Sequence, residues 1–475
     1  MQIQLPKLRK INVNRNKKKI FILTDDIFSP SGVGTMAKEL IYETCGEFDW
    51  VQLAAALSHP EHGRAVDISE QIEKETGKTD LYVKQYKHNG YFSYDGFFKV
   101  LEIEKPDAVM LFTDPRHFME FWPHEHTIRA EYKIPIIYWS IWDSELIPFW
   151  NEPFYKSCDL LMAINKQTDI IHKVITGEQT ICTYVPHGIN NTKFFKIPDT
   201  DLDFAAMRQD FKSRHNVDFV VFWNSRNIRR KQPADVILGF KKFCDELPPD
   251  QASKCCLLMK THILDQNGTD LMAVKKHICP NYKVIFNEEV LPVQVMNYFY
   301  NLADVTVSMS SAEGFGLSTA ESLMAETMII APVHGGLQDQ MGIIDGETGQ
   351  YWIPTNQQPS NSNGTCNIYG KWVLPMIPRA RQLQGSIPTP YIFDYVVDAE
   401  DLANNLLEVY QKSKEERNVC GLAGRNYMNT FMNQDVMREK FIDSVNEMFS
   451  KFQPKSKFTI TQITKPAPKT DIGLL

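Results

Sequence analysis

A chain of 475 residues exceeds the size at which one hydrophobic core usually keeps growing, so two domains are the default expectation. Its composition, 43% hydrophobic, 11% aromatic and 23% charged, is that of a folded protein and excludes wholesale disorder. The net charge of −7 is unevenly spread: residues 1–24 carry seven basic side chains and no acid, residues 451–475 carry five lysines against Asp471, and the body between is left at −18. So acidic a body excludes a general nucleic-acid binder and confines any polyanion contact to the basic tails.

The longest apolar stretch, around Ile134 to Trp142, is too short for a transmembrane segment. The basic N-terminus is followed by no apolar run, so no signal peptide is read and a cytoplasmic location is expected. Nine cysteines show no CxxC pair and no metal-ligand spacing, which points to reduced thiols.

In chain order, a basic disordered tail over 1–17 precedes a strand, Lys19 to Thr24, a glycine-containing loop with SGVG (Ser31 to Gly34), and a helix from Thr35. Strand-like runs follow at Trp50 to Ala55, Ala108 to Phe112, Ile134 to Trp139 and Leu160 to Ile164, with helix-like segments between several of them. Strands alternating with helices read as a parallel sheet covered on both faces. The rhythm pauses in VPHGINNTKFF (Val185 to Phe195) and the polar stretch after it, and restarts at Phe219 to Trp223, followed by an arginine-rich loop and a helix opened by Pro233. Strands at CCLLM, KVIF, VTVSM and MIIA, with helices at Pro292 to Leu302 and from Leu317, complete a second α/β unit. The vicinal Cys255 and Cys256 open one of these strands and read as core. Six prolines between Pro354 and Asp398 mark an insertion over 354–398, a lid or packed extension. Helices resume at Glu400 to Lys412 and Asp435 to Phe452, and a disordered tail is expected over 454–475.

The segment with most chemical content is SSAEGFGLSTAES, Ser310 to Ser322. It follows a strand, turns through Gly314 and Gly316, and opens a helix near Leu317. Helix N-termini at the carboxyl edge of such a sheet present unpaired N–H groups to anions, so a diphosphate would sit against Phe315 to Ser318. Glu313 lies before the helix and Glu321 about one turn inside it, so the two carboxylates can grip different parts of one ligand through its hydroxyls.

Here the chain resembles the retaining glycosyltransferases of the GT-B fold, family four, whose signature is Glu–seven residues–Glu, filled by Glu313 and Glu321. The resemblance covers most of the chain. It implies two Rossmann-like, doubly wound domains facing an interdomain cleft: an acceptor domain over 18–205, a donor domain over 206–434, and a helix over 435–453 returning to the first. It also implies that Glu313 contacts the transferred sugar and Glu321 the nucleotide ribose. By the same resemblance Gly32 and Gly34 of SGVG approach the donor phosphates, and Arg226 and Lys231 of NSRNIRRK grip the diphosphate. Gly314, Phe315, Gly316, Leu317 and Ser318 cradle it. HGGLQD (His334 to Asp339) and DGETG (Asp345 to Gly349) match later family loops.

One departure stands out. Where the family often carries a sugar-contacting His, this chain reads IPIIYWSIWDSE, placing Trp142 and Asp143 there. Trp142 is read either as stacking on a sugar face or as packing in the cleft wall, and Asp143 either as the polar sugar contact or as a helix cap. The cluster Asp114, Arg116, His117, His124 and His126 lacks metal-ligand spacing and is read as candidate lining of an acceptor cleft. The resemblance implies a retaining hexosyltransferase needing no metal or other cofactor. UDP-glucose is the favoured donor, and the acceptor is a glycan, a lipid-linked glycan or a modified nucleic-acid base. The alternative is a non-catalytic nucleotide-sugar or glycan-binding protein of the same fold.

Overall fold

The computed structural model describes residues 16–60, 62–177 and 179–456, so most of both expected tails lies outside the described residues. The strands of the N-terminal half are β1 (Lys18–Asp25), β2 (Phe48–Ala55), β3 (Ala65–Asp67), β4 (Val83–Lys87), β5 (Ala108–Thr113), β6 (Ile136–Ser140), β7 (Leu160–Ala163) and β8 (Ile181–Tyr184). They form one sheet in the order β3-β4-β2-β1-β5-β6-β7-β8, parallel except for the edge strand β3. Its inner strands are apolar at successive positions because helices cover both faces; β2 is buried along its whole length.

The second sheet comprises β9 (Phe219–Asn224), β10 (Cys255–Lys260), β11 (Lys283–Asn287), β12 (Val305–Val307), β13 (Met328–Pro332) and β14 (Val373–Met376), in the order β11-β10-β9-β12-β13-β14, all parallel. Cys255 and Cys256 are buried free thiols within it. The central strands start at β1 and β9, and the order reverses beside each, the arrangement that opens a crevice at the strands' carboxyl ends. One apolar cluster runs across both halves, joining Met110 and Trp139 to Phe315 and Leu337.

Four features differ from the sequence expectations. The first long helix begins at Gly32, not Thr35, because Ser31 caps it by accepting from the Gly34 amide at 2.9 Å. A boundary at 205 would cut the helix Leu202–His215, whose only buried side chain is Phe204, so its periodicity is faint. Residues 354–398 are not wholly an insertion: β14 extends the second sheet beside β13, and only the hairpin β15 (Ala380–Ser386) and β16 (Thr389–Val396) stands apart from it. The helix Lys414–Phe431 was unforeseen. Its interior Gly421 disfavours a helix locally, yet a Cβ there would meet the Glu326 carbonyl oxygen at 1.9 Å, so the glycine is what lets the helix pack this closely.

The last helix, Gln434–Lys451, packs on the N-terminal sheet, where Phe441 lies 6.0 Å from Phe48 and 5.9 Å from Trp50. A bridge between Ile189 and Asn433 sets the two chain crossings side by side. Lys455, assigned to the tail, pairs with Glu125 at 3.0 Å. No helix among the described residues is long and apolar enough to cross a membrane.

Candidate functional site

The loop after β12 turns sharply into the helix Leu317–Met324 through Gly316, whose φ of 90° is left-handed. A Cβ there would also lie 2.5 Å from Leu337, so glycine is required both by conformation and by space. No side chain caps this helix, and its first-turn amides have no partner within the helix. The HGGLQD segment holds the loop from behind. Gly336 N–H donates to the Glu313 carbonyl at 2.9 Å, and Gln340 Nε2 donates to the carbonyls of Phe315 and Gly316 at 2.6 and 3.0 Å.

These elements open into a cavity of about 490 Å³ between the two halves. Glu313, Gly314, Phe315, Gly316, Leu317, Ser318, Glu321 and Lys231 line it from the C-terminal half, and Gly32 and Asp143 from the other. Lys231 forms an ion pair with Glu313, and Arg230 lies 3.7 Å from the same carboxylate while donating to the Ala312 carbonyl at 2.7 Å. Burial alone would raise the Glu313 carboxyl, but the Lys231 and Arg230 charges outweigh it and hold it at about 2. Among the described residues no cation pairs with Glu321. Burial pushes its carboxyl up to about 7, opposed by the Tyr300 hydroxyl, which donates to it at 2.6 Å and accepts from Asn224 at 2.9 Å. Burial likewise raises the Asp143 carboxyl, with Arg230 acting against it.

Asp143 lines the same cavity from the N-terminal half, and Asn165 couples the two halves, its Nδ2 donating to the carbonyls of Trp142 (3.0 Å) and Gly314 (2.7 Å). Trp142 does not face the cavity. It is buried in the N-terminal core edge-on to Trp150, so the sugar-stacking reading gives way to the packing one.

Two other assignments, Arg226 and Gly34, fall elsewhere than expected. Arg226 sits outside the Lys231–Glu313 group, largely exposed and bonded to Asp265 at 2.7 Å, on the rim of an adjoining cavity of about 710 Å³. Arg230, not singled out in the sequence, stands beside Lys231 and Glu313 instead. The Gly34 amide is taken up by Ser31, leaving Gly32 as the glycine of SGVG on the cavity wall. His334 is fully buried, stacked on Tyr395 at 4.5 Å with Nε2 on the Ser310 carbonyl at 2.7 Å, and DGETG is an exposed turn.

Two residues escaped the sequence reading, His187 of the cavity wall and Tyr300 behind Glu321. His187, in VPHGIN, lies beside Phe315 at 5.1 Å, and burial lowers its imidazole to about 3, so it is neutral. Tyr300 could have been found only through the fold, 21 positions from its partner. The Asp114–His126 cluster does not line the cavity: Asp114 caps a short helix through the Arg116 amide, His117 packs on Tyr91, and His124 on Phe92 and Tyr94. Among the described residues no group of three or more His, Cys, Asp or Glu side chains is placed to hold a metal.

Two parallel α/β sheets facing each other across such a cleft define the GT-B fold of glycosyltransferases. Solved structures bear this out at fold level: HepE of Anabaena in complex with UDP and glucose (TM-score 0.61, 11% identity, 90% of this chain and 99% of that one) and sucrose-phosphate synthase of Thermosynechococcus elongatus (0.62, 13%, 91% and 100%). A glycosyltransferase of Rickettsia africae matches similarly (0.60, 14%, 92% and 100%). In sequence, the chain is 23% identical to mannosylfructose-phosphate synthase of Agrobacterium fabrum over 188 residues, 38% of this chain. That match spans only 39% of the relative's length. No family model matches.

Proposed function

We propose that this chain is a retaining glycosyltransferase of family four that transfers a hexose from a nucleoside-diphosphate sugar, UDP-glucose being the favoured donor, to a hydroxyl acceptor. The observation carrying this reading is that Glu313, Glu321, Arg230 and Lys231 meet the uncapped N-terminus of the helix Leu317–Met324 in one interdomain cavity. HepE, whose fold this chain shares, has been solved with UDP-glucose, which supports the choice of donor.

In this reading the diphosphate lies on the first-turn amides of that helix, beside Arg230 and Lys231. Charge builds on the leaving diphosphate as the glycosidic bond breaks, and fixed donors in a closed cleft stabilise that charge without reorganising. Glu313 is held ionised by its two cations and accepts from hydroxyls of the transferred sugar. Glu321, steadied by Tyr300, accepts from the ribose. Asp143 contacts the sugar from the opposite wall. Attack from the face of the departing diphosphate, which takes the acceptor's proton, retains configuration.

The test is incubation of the full chain with UDP-glucose alone, followed by proton NMR. Release of UDP with α-glucose as the first-formed anomer is expected. A first-formed β-anomer would exclude retention. Absence of both hydrolysis and calorimetric binding for UDP, GDP and ADP sugars would exclude the transferase and a non-catalytic nucleotide-sugar binder together.

A further inference from the structure

The hairpin β15–β16 belongs to neither sheet. All seven residues of β15 are exposed and Ile387 at the tip is 99% exposed, so the hairpin is seated through β16, where Tyr395 is buried and Ile392 packs on the N-terminal core. An isolated hairpin of this kind is marginal in water. Further contacts go to the loop that carries Asp143. Arg381 pairs with Glu145, which also accepts from Ser362 Oγ at 2.9 Å. The Phe393 amide donates to Ser144 Oγ at 3.1 Å, the Tyr391 hydroxyl donates to the Ile147 carbonyl at 3.2 Å, and the Tyr391 ring meets Trp150 edge-on at 4.4 Å.

The same strand is anchored to the opposite wall of the cavity. The Tyr395 amide donates to the Ser311 carbonyl at 2.9 Å, and the Ser311 amide donates to the Arg230 carbonyl at 2.7 Å. The Tyr395 ring lies flat on His334, which is itself bonded to Ser310. A path of hydrogen bonds and stacked rings thus runs from Arg230 through β16 to residues 144–150. Asp143 is joined directly to the end of that path.

From this geometry we infer that the hairpin is a strap, with Arg381 and Tyr391 as positioning residues that hold the 144–150 loop so that Asp143 keeps its place in the cavity shared with Glu313 and Lys231. The inference rests on the transferase reading for its purpose. The diphosphate contacts belong to the other wall, so the strap should govern turnover and leave nucleotide affinity alone.

The experiment compares wild type with Arg381→Ala, Arg381→Lys, Tyr391→Phe and the tip control Ile387→Ser in the full chain. Arg381→Ala and Tyr391→Phe should lower kcat for UDP-glucose hydrolysis by about tenfold or more, since small misplacements of a positioned group cost that much. Their Kd for UDP should stay within about twofold, because the Arg381 and Tyr391 side chains contact the 144–150 loop and not the diphosphate wall. Arg381→Lys should recover part of the loss, Ile387→Ser should match wild type, and hydrogen exchange over 142–150 should quicken only in the first two variants. Unchanged kcat and exchange would overturn the inference, as would a parallel loss of turnover, UDP affinity and Tm, which marks a merely structural element. A wild-type chain that neither binds UDP nor hydrolyses UDP-glucose would fail the transferase reading itself. Wild-type hydrolysis with normal variants would fail the strap alone.

Discussion

Glu321→Gln isolates what the cavity costs the free protein. Burial raises the Glu321 carboxyl from 4.5 to about 7, helped by the Glu39 charge across the cleft and opposed by the Tyr300 hydroxyl. A shift of that size at about 1.4 kcal/mol per unit is roughly 3 kcal/mol; cleft water reaching this half-buried side chain discounts it to about 2 kcal/mol. The folded state holds the proton more tightly than the unfolded chain. The stability from this group is therefore complete below pH 4.5 and lost as the pH rises through 7. Glutamine keeps an oxygen for Tyr300 and cannot ionise. The variant should be more stable than wild type by about 2 kcal/mol at pH 8, a Tm gain of roughly 4–8 °C for a domain of this size, and by less than half of that at pH 5. Thermal and urea melts at both pH values measure it. An equal advantage at both, or a less stable variant at pH 8, would refute the reasoning. With UDP present the order should reverse, because the carboxylate assigned to the ribose is gone.

Lys231→Ala should weaken UDP binding at least tenfold, about 1.5–3 kcal/mol for a charge-assisted contact, with little change for uridine; equal losses in calorimetry would mean that Lys231 acts through folding. Arg226→Ala should leave UDP affinity within about twofold, since its guanidinium is exposed and engaged by Asp265; a tenfold loss would return Arg226 to the diphosphate site. Glu313, held at about 2 by its cations, contributes stability that is present above pH 4.5 and lost as pH falls towards 2. Glu313→Gln should accordingly flatten the acid limb of a circular-dichroism titration, and an unchanged limb would show that the ion pair adds nothing.

The alternation of apolar strands with amphipathic helices, and the Glu313–Glu321 spacing across a strand-to-helix turn, were legible because they are local: parallel strands must be apolar throughout, and a tight turn needs its glycines. Local rules misled wherever a distant group decided the outcome. Lys414–Phe431 is helical despite Gly421 because close packing on Glu326 uses the missing side chain, and β14 hides among prolines because its place is set by β13. Local rules do not separate Arg226 from Arg230, since both follow β9 in one basic loop, and the family resemblance pointed to Arg226. Asp265 draws the first outward, while the Ala312 carbonyl and Glu313 draw the second to the cavity. The sequence by itself determined which charges and turns were available. Only the tertiary structure decided which of them share a cavity, because partners like Tyr300 and Glu321, or Arg381 and Glu145, are brought together by sheet order and a hairpin that no local periodicity encodes.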